Sequence, residues 1–354
     1  MLTINEVPTP ALIADLDLLE ANLARMAQHV RCAGKGLRPH VKAHKCVEIA
    51  RSQMAAGALG LSVATVQEAE LMARAGIAGL LLTSPVADPL KIARIVATGA
   101  VAVVDHLQQV EWYAEAASRA GRRVDILIDL DVGDHRTGAV SPEEALCLAR
   151  AIERSRHLWL RGVQAYSVRG SHVGEVEERK LVSQQSFQIA AGIREEFRRG
   201  GLCCDIVSGG STGSWEIDSA IDAVDELQPG SYVLMDLAYR RIGLDFKHAM
   251  RIRTTVVSAN HAEFVTVDGG LKAFSTDRGY GPEAVGLPGS QYRWGGDEFG
   301  YLDVAGCAHR PRLGDRIDFI PPHCDPTVNL YDRIYAARGE IIEAVWPVMD
   351  RMRG

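Results

Sequence analysis

Short apolar runs alternate with amphipathic stretches along the chain from about residue 12 to residue 240. The apolar runs resemble buried strands, and stretches such as LLEANLARMAQHVRCAG and SPEEALCLARAIERS repeat apolar residues with helical spacing. Roughly eight such repeats over this length are typical of a (β/α)8 TIM barrel, an α/β fold. The candidate strands are ALIADLD, LRPHVK, LGLSVAT, GLLLTSP, AVAVVDH, VDILIDLDV, LRGVQAY, DIVSGGS and YVLMDLAY.

The pattern changes after about residue 245. The runs MRIRTTVVSAN, EFVTVDGGL, DRIDFIPP and RIYAARGEIIEAVWPV indicate strands joined by turns rich in glycine and proline, with no convincing helix between them. The sequence therefore predicts a barrel over residues 12–240 and a C-terminal all-β domain over residues 241–354, which residues 1–11 join.

Composition narrows the class of function. The 354 residues carry a formal net charge of −6, and this mild acidity disfavours a nucleic-acid partner, which requires a basic face. The start of the chain does not resemble a signal peptide, and no apolar stretch is long enough to span a bilayer. Seven cysteines without regular spacing favour reduced thiols. We therefore expect a cytoplasmic protein that acts on a small molecule.

The run RPHVKAHK places His40, Lys42 and His44 two residues apart. In an extended strand, side chains at this spacing point to one face, and a lysine near the carboxyl end of a barrel strand lies at the mouth. Desolvation and nearby positive charge favour the neutral, nucleophilic amine, so Lys42 is a candidate nucleophile beside two histidines. A lysine that reaches from a strand end into solvent is the competing interpretation.

The segment VSGGSTGSW, residues 207–215, is a candidate phosphate site. Small residues let backbone N–H groups close around a phosphate, and a helix N-terminus adds a favourable partial charge. It is neither a Walker motif nor a GxGxxG motif. Gly230 and Ser231, in LQPGSYVLMD, are placed at a strand entrance to complete such a site. An ordinary turn rich in glycine and serine is the alternative.

Two further segments carry candidate site residues. Arg136, in DLDVGDHRTGA, is suited to neutralise an anionic ring oxygen or a substrate carboxylate, although a surface salt bridge would also explain it. Gln164 and Tyr166 lie on the following candidate strand.

The segment PPHCDPTVNLYD places His323 and Asp325 two residues apart. An extended backbone would present both to one side, and imidazole plus carboxylate is a common ligand pair for divalent ions. A turn in which Asp325 caps the following residues is the alternative, and a lone H-x-D pair is a weak metal signal.

Taken together, these segments resemble the fold-type III pyridoxal-phosphate enzymes of the D-threonine aldolase and D-serine dehydratase group, whose barrel is alanine-racemase-like. The matching segments cover most of the chain in the expected order: TPALIADLDLLEANL, RPHVKAHK, GLSVATVQEAELMARAGI, VSGGSTGSW, ELQPGSYVLMD, DGGLKAFSTDRG, DEFG, PPHCDPTVNLYD and VWPV.

The resemblance implies a role for each candidate. Lys42 would carry pyridoxal 5'-phosphate, and Arg136 would lie beside the ring oxygen. Gln164 and Tyr166 would lie near the ring. The phosphate would bind Ser211, Thr212, Gly213, Gly230 and Ser231. A divalent metal (Mn, Mg, Co or Zn) would bind His323 and Asp325.

The implied reaction is the retro-aldol cleavage of a 3-hydroxy-D-amino acid to glycine and an aldehyde. Lys42, His44 and Arg136 would be the catalytic residues, and His44 a candidate base for the β-hydroxyl proton. The alternative is a dehydratase acting on D-serine or 3-hydroxy-D-aspartate, which would give a 2-oxo acid and ammonia. In the group, dehydratases favour H-x-C as the ligand pair, so HCDPT favours the aldolases.

Two departures from the aldolases affect the expected substrate more than the fold: GDHRTG stands where they more often read GAGRCG, and Ser167 follows QAY where His or Gln is common. A cofactor-binding barrel without turnover is a further alternative, but such proteins lack a β domain and a metal site. The resemblance also suggests a homodimer.

Overall fold

The structure is a computed structural model that describes residues 2–349 and residue 351. Its strands, in chain order, are β1 (Ala11–Asp15), β2 (Gly36–Leu37), β3 (Ser62–Val63), β4 (Leu81–Leu82), β5 (Val101–Val104), β6 (Val124–Asp129), β7 (Leu158–Ala165), β8 (Ile206–Gly209), β9 (Glu226–Leu227), β10 (Met250–Ser258), β11 (Phe264–Val267), β12 (Glu283–Ala284), β13 (Gln291–Trp294), β14 (Gly300–Asp303), β15 (Arg316–Ile320), β16 (Arg333–Arg338) and β17 (Ile341–Pro347).

The α-helices are α1 (Leu16–Cys32), α2 (Val47–Ala55), α3 (Val66–Arg74), α4 (Pro89–Thr98), α5 (Leu107–Ala120), α6 (Pro142–Glu153), α7 (Val168–His172), α8 (Val176–Arg199), α9 (Trp215–Ser219), α10 (Leu237–Arg241) and α11 (Cys324–Val328). Two 3₁₀ turns, Val41–Ala43 and Ser231–Val233, complete the regular structure of the described residues.

The described chain groups into two compact units. One holds residues 26–42 and 49–230, and the other holds residues 2–25, 43–48 and 231–349 with residue 351. We call them the barrel unit and the β unit. The domain boundaries expected at residues 12 and 240 stay a prediction.

The barrel unit is built on a sheet of eight parallel strands in the order β2-β9-β8-β7-β6-β5-β4-β3. Its two edge strands are joined as well: the N–H of Leu59 donates to the carbonyl of Leu37 at 2.8 Å, and His40 forms a parallel bridge with Ser62. The ring of strands therefore closes, and its apolar side chains are buried from both faces, as parallel sheets require. The predicted (β/α)8 barrel is confirmed.

Local sequence signals set the ends of the barrel helices. Asp88 caps α4 by accepting the N–H of Leu90, and Pro89 supplies a first-turn residue that needs no N–H partner. Gly99 ends the same helix with φ at 74°, and Gly121 ends α5 with φ at 60°. Glycine adopts this left-handed conformation without steric cost, so both helices end at a glycine.

The β unit contains a nine-stranded sheet whose main path runs β13-β14-β11-β10-β1-β16-β17, while β15 pairs with β10 and β12. Strands β16 and β17 form an antiparallel hairpin, and exposed positions alternate with buried or half-buried ones along β17. Such alternation is typical of a sheet with one solvated face. The predicted C-terminal all-β domain is confirmed, and its four predicted runs contain strands.

Two candidate barrel strands were wrong, and a third is only partly confirmed. Ala11–Asp15 is a strand, but it pairs antiparallel with β10 and parallel with β16 in the β unit. LRPHVK does lie in the barrel sheet, through Leu37 of β2 and the bridge of His40 with Ser62, but it is shorter than predicted, because Pro39 has no N–H to donate and the chain turns at Val41. YVLMDLAY forms a 3₁₀ turn and then α10, because the carboxylate of Asp236 caps that helix through the N–H of Tyr239.

The prediction that no helix interrupts the C-terminal strands was also wrong, since α11 lies between β15 and β16. No disulfide joins the seven cysteines, all of which lie in the described part of the chain. Within the same residues, no helix has the length and apolar character needed to cross a membrane.

Candidate active site

Lys42 lies in the 3₁₀ turn Val41–Ala43 and is half-buried. Its N–H donates to Nδ1 of His40 at 3.4 Å, and Nε2 of His40 is 3.1 Å from the hydroxyl of Thr83. Because Thr83 donates its own proton to the carbonyl of Val63, His40 must donate through Nε2. These bonds orient the His40 ring beside Lys42. The expectation that His40, Lys42 and His44 line one face of a strand is wrong, because the chain turns at Lys42.

His44 belongs to the β unit and is fully buried. Its Nδ1 accepts the N–H of Cys46 at 3.1 Å, which places the proton of the neutral ring on Nε2. In this tautomer the ring donates through Nε2. To act as a base, His44 must give up the bond from Cys46.

A buried polar network joins the carboxyl ends of several barrel strands. The amide nitrogen of Gln164 donates to the Thr83 carbonyl at 2.9 Å and to Oδ1 of Asp129 at 2.7 Å. Gln228 donates to Oε1 of Gln164 at 3.3 Å and to the hydroxyl of Ser208 at 2.9 Å. All five side chains are buried. The hydrogen bonds of Gln164 are therefore made within the protein, which fixes its amide group.

Asp129 lies at the end of β6 and was not among the site residues predicted from the sequence. Burial raises the pKa of its carboxyl to about 6, against hydrogen bonds from Gln164 and Thr137 that lower it. The available signal was an acid at the carboxyl end of a buried apolar strand, where barrel active sites lie.

Arg136 is exposed, and its guanidinium lies 4.9 Å from the centre of the Tyr166 ring. This cation–π contact brings together two predicted site residues from neighbouring loops. The two departures from the family pattern also meet there: Ser167 donates to Oδ1 of Asp134 at 3.1 Å, and the other oxygen of Asp134 accepts the N–H groups of Val168 and Arg169 at the start of α7.

Ser211, Thr212 and Gly213 follow β8 and are buried. A Cβ added at Gly213 would lie 1.8 Å from the carbonyl oxygen of Ser171, so glycine is required for this close backbone approach. Gly210 has φ at 74°. The Ser211 hydroxyl is 2.9 Å from that of Ser214, which donates to the carboxylate of Asp218. The loop therefore has a tightly packed backbone and an internal hydroxyl chain.

The predicted metal ligands lie at the start of α11. His323 is the extended N-cap residue, whereas Asp325 is in the first turn, so the premise of an extended run through both is wrong. Nδ1 of His323 is 2.8 Å from Oδ2 of Asp277, and Arg278 contacts the same ring. A carboxylate at Nδ1 is the usual partner of a histidine that binds metal through Nε2.

The Asp325 carboxylate is also oriented within the β unit. Its Oδ1 accepts the hydroxyl of Ser231 at 3.0 Å and the thiol of Cys324 at 3.2 Å. Ser231, predicted as a phosphate ligand, thus directs its proton to a predicted metal ligand. Burial, and then the nearby carboxylates of Asp325 and Asp236, raise the pKa of the Cys324 thiol well above its ordinary value.

Several side chains that form hydrogen bonds with this segment were not predicted from the sequence. Asp236 accepts the N–H of Cys324 at 2.8 Å, and the hydroxyls of Ser275 and Thr327 donate to the carbonyl of His323 at 3.2 and 2.7 Å. Asp236 and Ser275 lie far from this segment in the sequence, so the local spacing of residues could not predict them, whereas Thr327 belongs to the segment itself.

The two units offer chemistry that suits a cofactor and an ion. The barrel unit contains groups that fit pyridoxal phosphate: the amine of Lys42, the guanidinium of Arg136 and the loop after β8. That loop requires glycine at residue 213, where a Cβ would not fit. In the β unit, the imidazole of His323 and the carboxylate of Asp325 fit a divalent ion in kind. Among the residues that the structure describes, no group of three His, Cys, Asp or Glu side chains is placed to hold a metal.

Comparison with known proteins agrees with this reading of the fold. Residues 14–238 match the family described as alanine racemase, N-terminal domain, and residues 249–337 match the family described as putative serine dehydratase domain. The D-threonine aldolase of Arthrobacter sp. is 36% identical over 98% of this chain and 93% of its own length.

Two further proteins are similar over nearly the whole chain. The D-threo-3-hydroxyaspartate dehydratase of Delftia sp. (strain HT23) is 30% identical over 92% of this chain and 93% of its own. The crystal structure of D-threonine aldolase from Filomicrobium marinum has a TM-score of 0.95 at 35% identity, covering 99% of this chain and 97% of that one. The chain therefore belongs to the D-threonine aldolase and D-serine dehydratase family of fold-type III pyridoxal-phosphate enzymes, as a D-threonine aldolase-like lyase.

Proposed function

We propose that this enzyme cleaves 3-hydroxy-D-amino acids resembling D-threonine to glycine and an aldehyde, with pyridoxal 5'-phosphate and a divalent metal. The observation that carries the proposal is the residue two positions after His323. It is a carboxylate, Asp325, oriented by hydrogen bonds from Ser231 and Cys324, and aldolases of the family have aspartate at this position. Full-length similarity to a D-threonine aldolase supports the same reaction.

In this proposal Lys42 holds the cofactor through its amine, and the half-buried site limits hydration of that amine. The phosphate binds in the loop of Ser211, Thr212 and Gly213, and Gly230 and Ser231 would contribute backbone N–H groups, since the Ser231 hydroxyl donates to Asp325. Pyridoxal phosphate supplies, when bound, an acceptor for the electron pair released as the substrate Cα–Cβ bond breaks.

Arg136, Tyr166 and Gln164 orient the reacting groups. Arg136 offers a permanent positive charge to an anionic ring oxygen, and its contact with Tyr166 at 4.9 Å limits the positions of both side chains. Gln164 is fixed by its bonds to Asp129 and to Thr83, so it provides a rigid surface. Preorganisation of this kind reduces the entropy lost on reaching the reactive geometry.

His323 and Asp325 would hold the divalent ion (Mn, Mg, Co or Zn), which lowers the pKa of a hydroxyl that it coordinates. Asp277 at Nδ1 of His323 and Ser231 at Asp325 orient these two ligands. His44 is the proposed base for the β-hydroxyl proton, and accepting that proton at Nδ1 requires release of the Cys46 N–H.

Dehydration to a 2-oxo acid and ammonia is the second candidate. The observation that favours it is similarity to a D-threo-3-hydroxyaspartate dehydratase across 92% of this chain. It would use the same residues, with Lys42 removing the substrate α-proton and the β-hydroxyl leaving as water.

Product analysis separates the two reactions. The purified enzyme, supplied with pyridoxal phosphate and Mn²⁺, is incubated separately with D-threonine, L-threonine and 3-hydroxy-D-aspartate. We expect glycine and acetaldehyde from D-threonine, no product from L-threonine, and no activity in the Lys42→Ala variant. A 2-oxo acid with ammonia would contradict aldol cleavage in favour of dehydration. We also propose a homodimer, which light scattering after size exclusion tests directly.

A further inference from the structure

The loop after β8 contains a chain of three buried groups: Ser211, Ser214 and Asp218 are 6%, 4% and 1% exposed. The Ser211 and Ser214 hydroxyls are 2.9 Å apart, and the Ser214 hydroxyl contacts Oδ2 of Asp218. A Cβ at Gly210 would lie 2.7 Å from the same carboxylate oxygen, so the carboxylate is also packed against backbone. The chain therefore runs through protein from the predicted phosphate residue Ser211 to a buried acid.

The direction of the hydroxyl protons follows from the charge on Asp218. An ionised carboxylate only accepts, so Ser214 must donate to it, and the Ser214 oxygen then accepts the proton of Ser211. Ser211 would present only lone pairs to a ligand. With a proton on Oδ2, Asp218 donates to Ser214, Ser214 donates to Ser211, and the Ser211 proton is released to point outward.

An anionic phosphate favours the second arrangement. With Asp218 ionised, Ser211 could donate to the phosphate only by giving up its hydrogen bond to Ser214, whereas with Asp218 protonated both bonds are made. We infer that Asp218 is a positioning residue that acts through Ser214 on Ser211, so that binding of the cofactor phosphate is coupled to uptake of a proton by Asp218. This inference rests on the proposed function, because it takes Ser211 as a phosphate ligand.

The surroundings of Asp218 support the coupling. Burial raises the pKa of its carboxyl to about 6, and the hydroxyls of Ser214 and Ser183 and the backbone of Ser211 lower it. Charged and titratable groups on adjacent elements have other partners. Glu216, also on α9, interacts with Arg179 of α8, and His29 of α1 contacts Ser219. Asp218 can therefore change charge near neutral pH.

The test measures proton uptake when pyridoxal phosphate binds, by calorimetry in buffers with different ionisation enthalpies. Near pH 7, we expect the wild type to take up more protons than Asp218→Asn, by up to about one. As the pH rises above about 6, its affinity should fall more steeply than that of the variant, by up to about tenfold per pH unit. Pyridoxal, which has no phosphate, should give equal uptake in the two proteins.

Two further variants keep the inference testable if Asp218→Asn does not fold. Ser214→Ala breaks the chain and should also lose the extra proton uptake. Ser183→Ala leaves the chain intact but removes a hydroxyl that lowers the pKa of Asp218, so the extra uptake should persist and move to higher pH. Equal uptake in wild type and Ser214→Ala would overturn the inference, as would loss of the extra uptake at every pH in Ser183→Ala. Failure of every variant and of the wild type to bind pyridoxal phosphate would instead contradict the proposed function.

Discussion

Asp129 shows how a single buried side chain links the sequence to the chemistry of the barrel. Its carboxylate lies at the end of β6 and accepts hydrogen bonds from Gln164 and Thr137, yet burial still raises its pKa to about 6. Two hydrogen bonds therefore do not fully replace the water that the group loses on folding. The same carboxylate fixes Gln164, which makes it a structural support for the proposed cofactor site.

Replacing Asp129 with asparagine should change how stability depends on pH. In the unfolded chain the pKa of this carboxyl is near 3.8, so between about pH 4 and pH 6 the native wild type binds more protons than the unfolded chain. The contribution of Asp129 to the free energy of unfolding of the wild type therefore falls as the pH rises through that window, by at most about 3 kcal/mol. Measured at about pH 5 and at about pH 7, the thermal midpoint of Asp129→Asn should be higher relative to that of the wild type at the higher pH.

Asp131 provides a matched control two residues along the chain. Despite desolvation, the N–H groups of Gly133 and His135 lower the pKa of this carboxyl. The contribution of Asp131 to stability is therefore complete above about pH 4, so the deficit of Asp131→Asn relative to wild type should stay constant between about pH 5 and pH 7. The same trend in both variants would contradict the burial argument for Asp129.

At the scale of elements, the loop after β8 depends on close backbone contact. Gly213 approaches the carbonyl of Ser171 so closely that a methyl group cannot be accommodated. The sequence GGSTG predicted a tight loop because glycine, which lacks Cβ, allows backbone conformations and close approaches that other residues do not.

Gly213→Ala should disrupt this loop. The added Cβ would lie 1.8 Å from the Ser171 carbonyl oxygen, and the strain of such overpacking is about 1–3 kcal/mol. We expect the affinity for pyridoxal phosphate to fall about tenfold or more, as measured by equilibrium dialysis. Gly192→Ala is the matched control, because it lies in α8 with nothing within 4 Å of its Cβ position. It should stabilise the protein by up to about 1 kcal/mol, with unchanged affinity. Unchanged affinity in both variants would contradict the role of the loop.

The errors at this scale have a physical cause. The apolar run ALIAD would be equally suited to a buried strand of either sheet. An apolar pattern does not identify the neighbouring strands, so the sequence could not assign β1 to the β unit. The motif HCDPT gave the candidate metal ligands, but Asp277 and Asp236 contact this segment from 46 and 88 residues away. Periodicity along the chain carries no information about such partners.

At the scale of the whole molecule, two kinds of sheet account for the two patterns in the sequence. Strand β6 of the parallel ring is buried at five of its six positions, whereas exposed positions alternate with buried or half-buried ones along β17 of the antiparallel sheet. The proposed function uses Lys42 near the start of the chain and His323 and Asp325 near its end, so the reaction should depend on groups that are far apart in sequence.

Removal of the divalent ion should therefore stop the reaction without removing the cofactor. After chelation with EDTA, we expect aldol cleavage to fall at least about tenfold and to return with Mn²⁺. His323→Ala should weaken Mn²⁺ binding measured by calorimetry, while its visible cofactor absorption stays like that of wild type. Asp297→Ala, which alters an exposed carboxylate of the β unit, is the control and should bind Mn²⁺ normally. Full activity after chelation would refute the role of His323 and Asp325.

The claim on which the account depends most is that Lys42 carries pyridoxal phosphate, and mapping the bond tests it directly. The loaded enzyme is reduced with borohydride and digested, and the peptide that retains the cofactor is sequenced by mass spectrometry. Lys45, which is buried three residues away, makes the assignment demanding. We predict that the label lies on Lys42 and is lost in Lys42→Ala but retained in Lys45→Ala. A label on Lys45, or no labelled peptide from the wild type, would contradict the account.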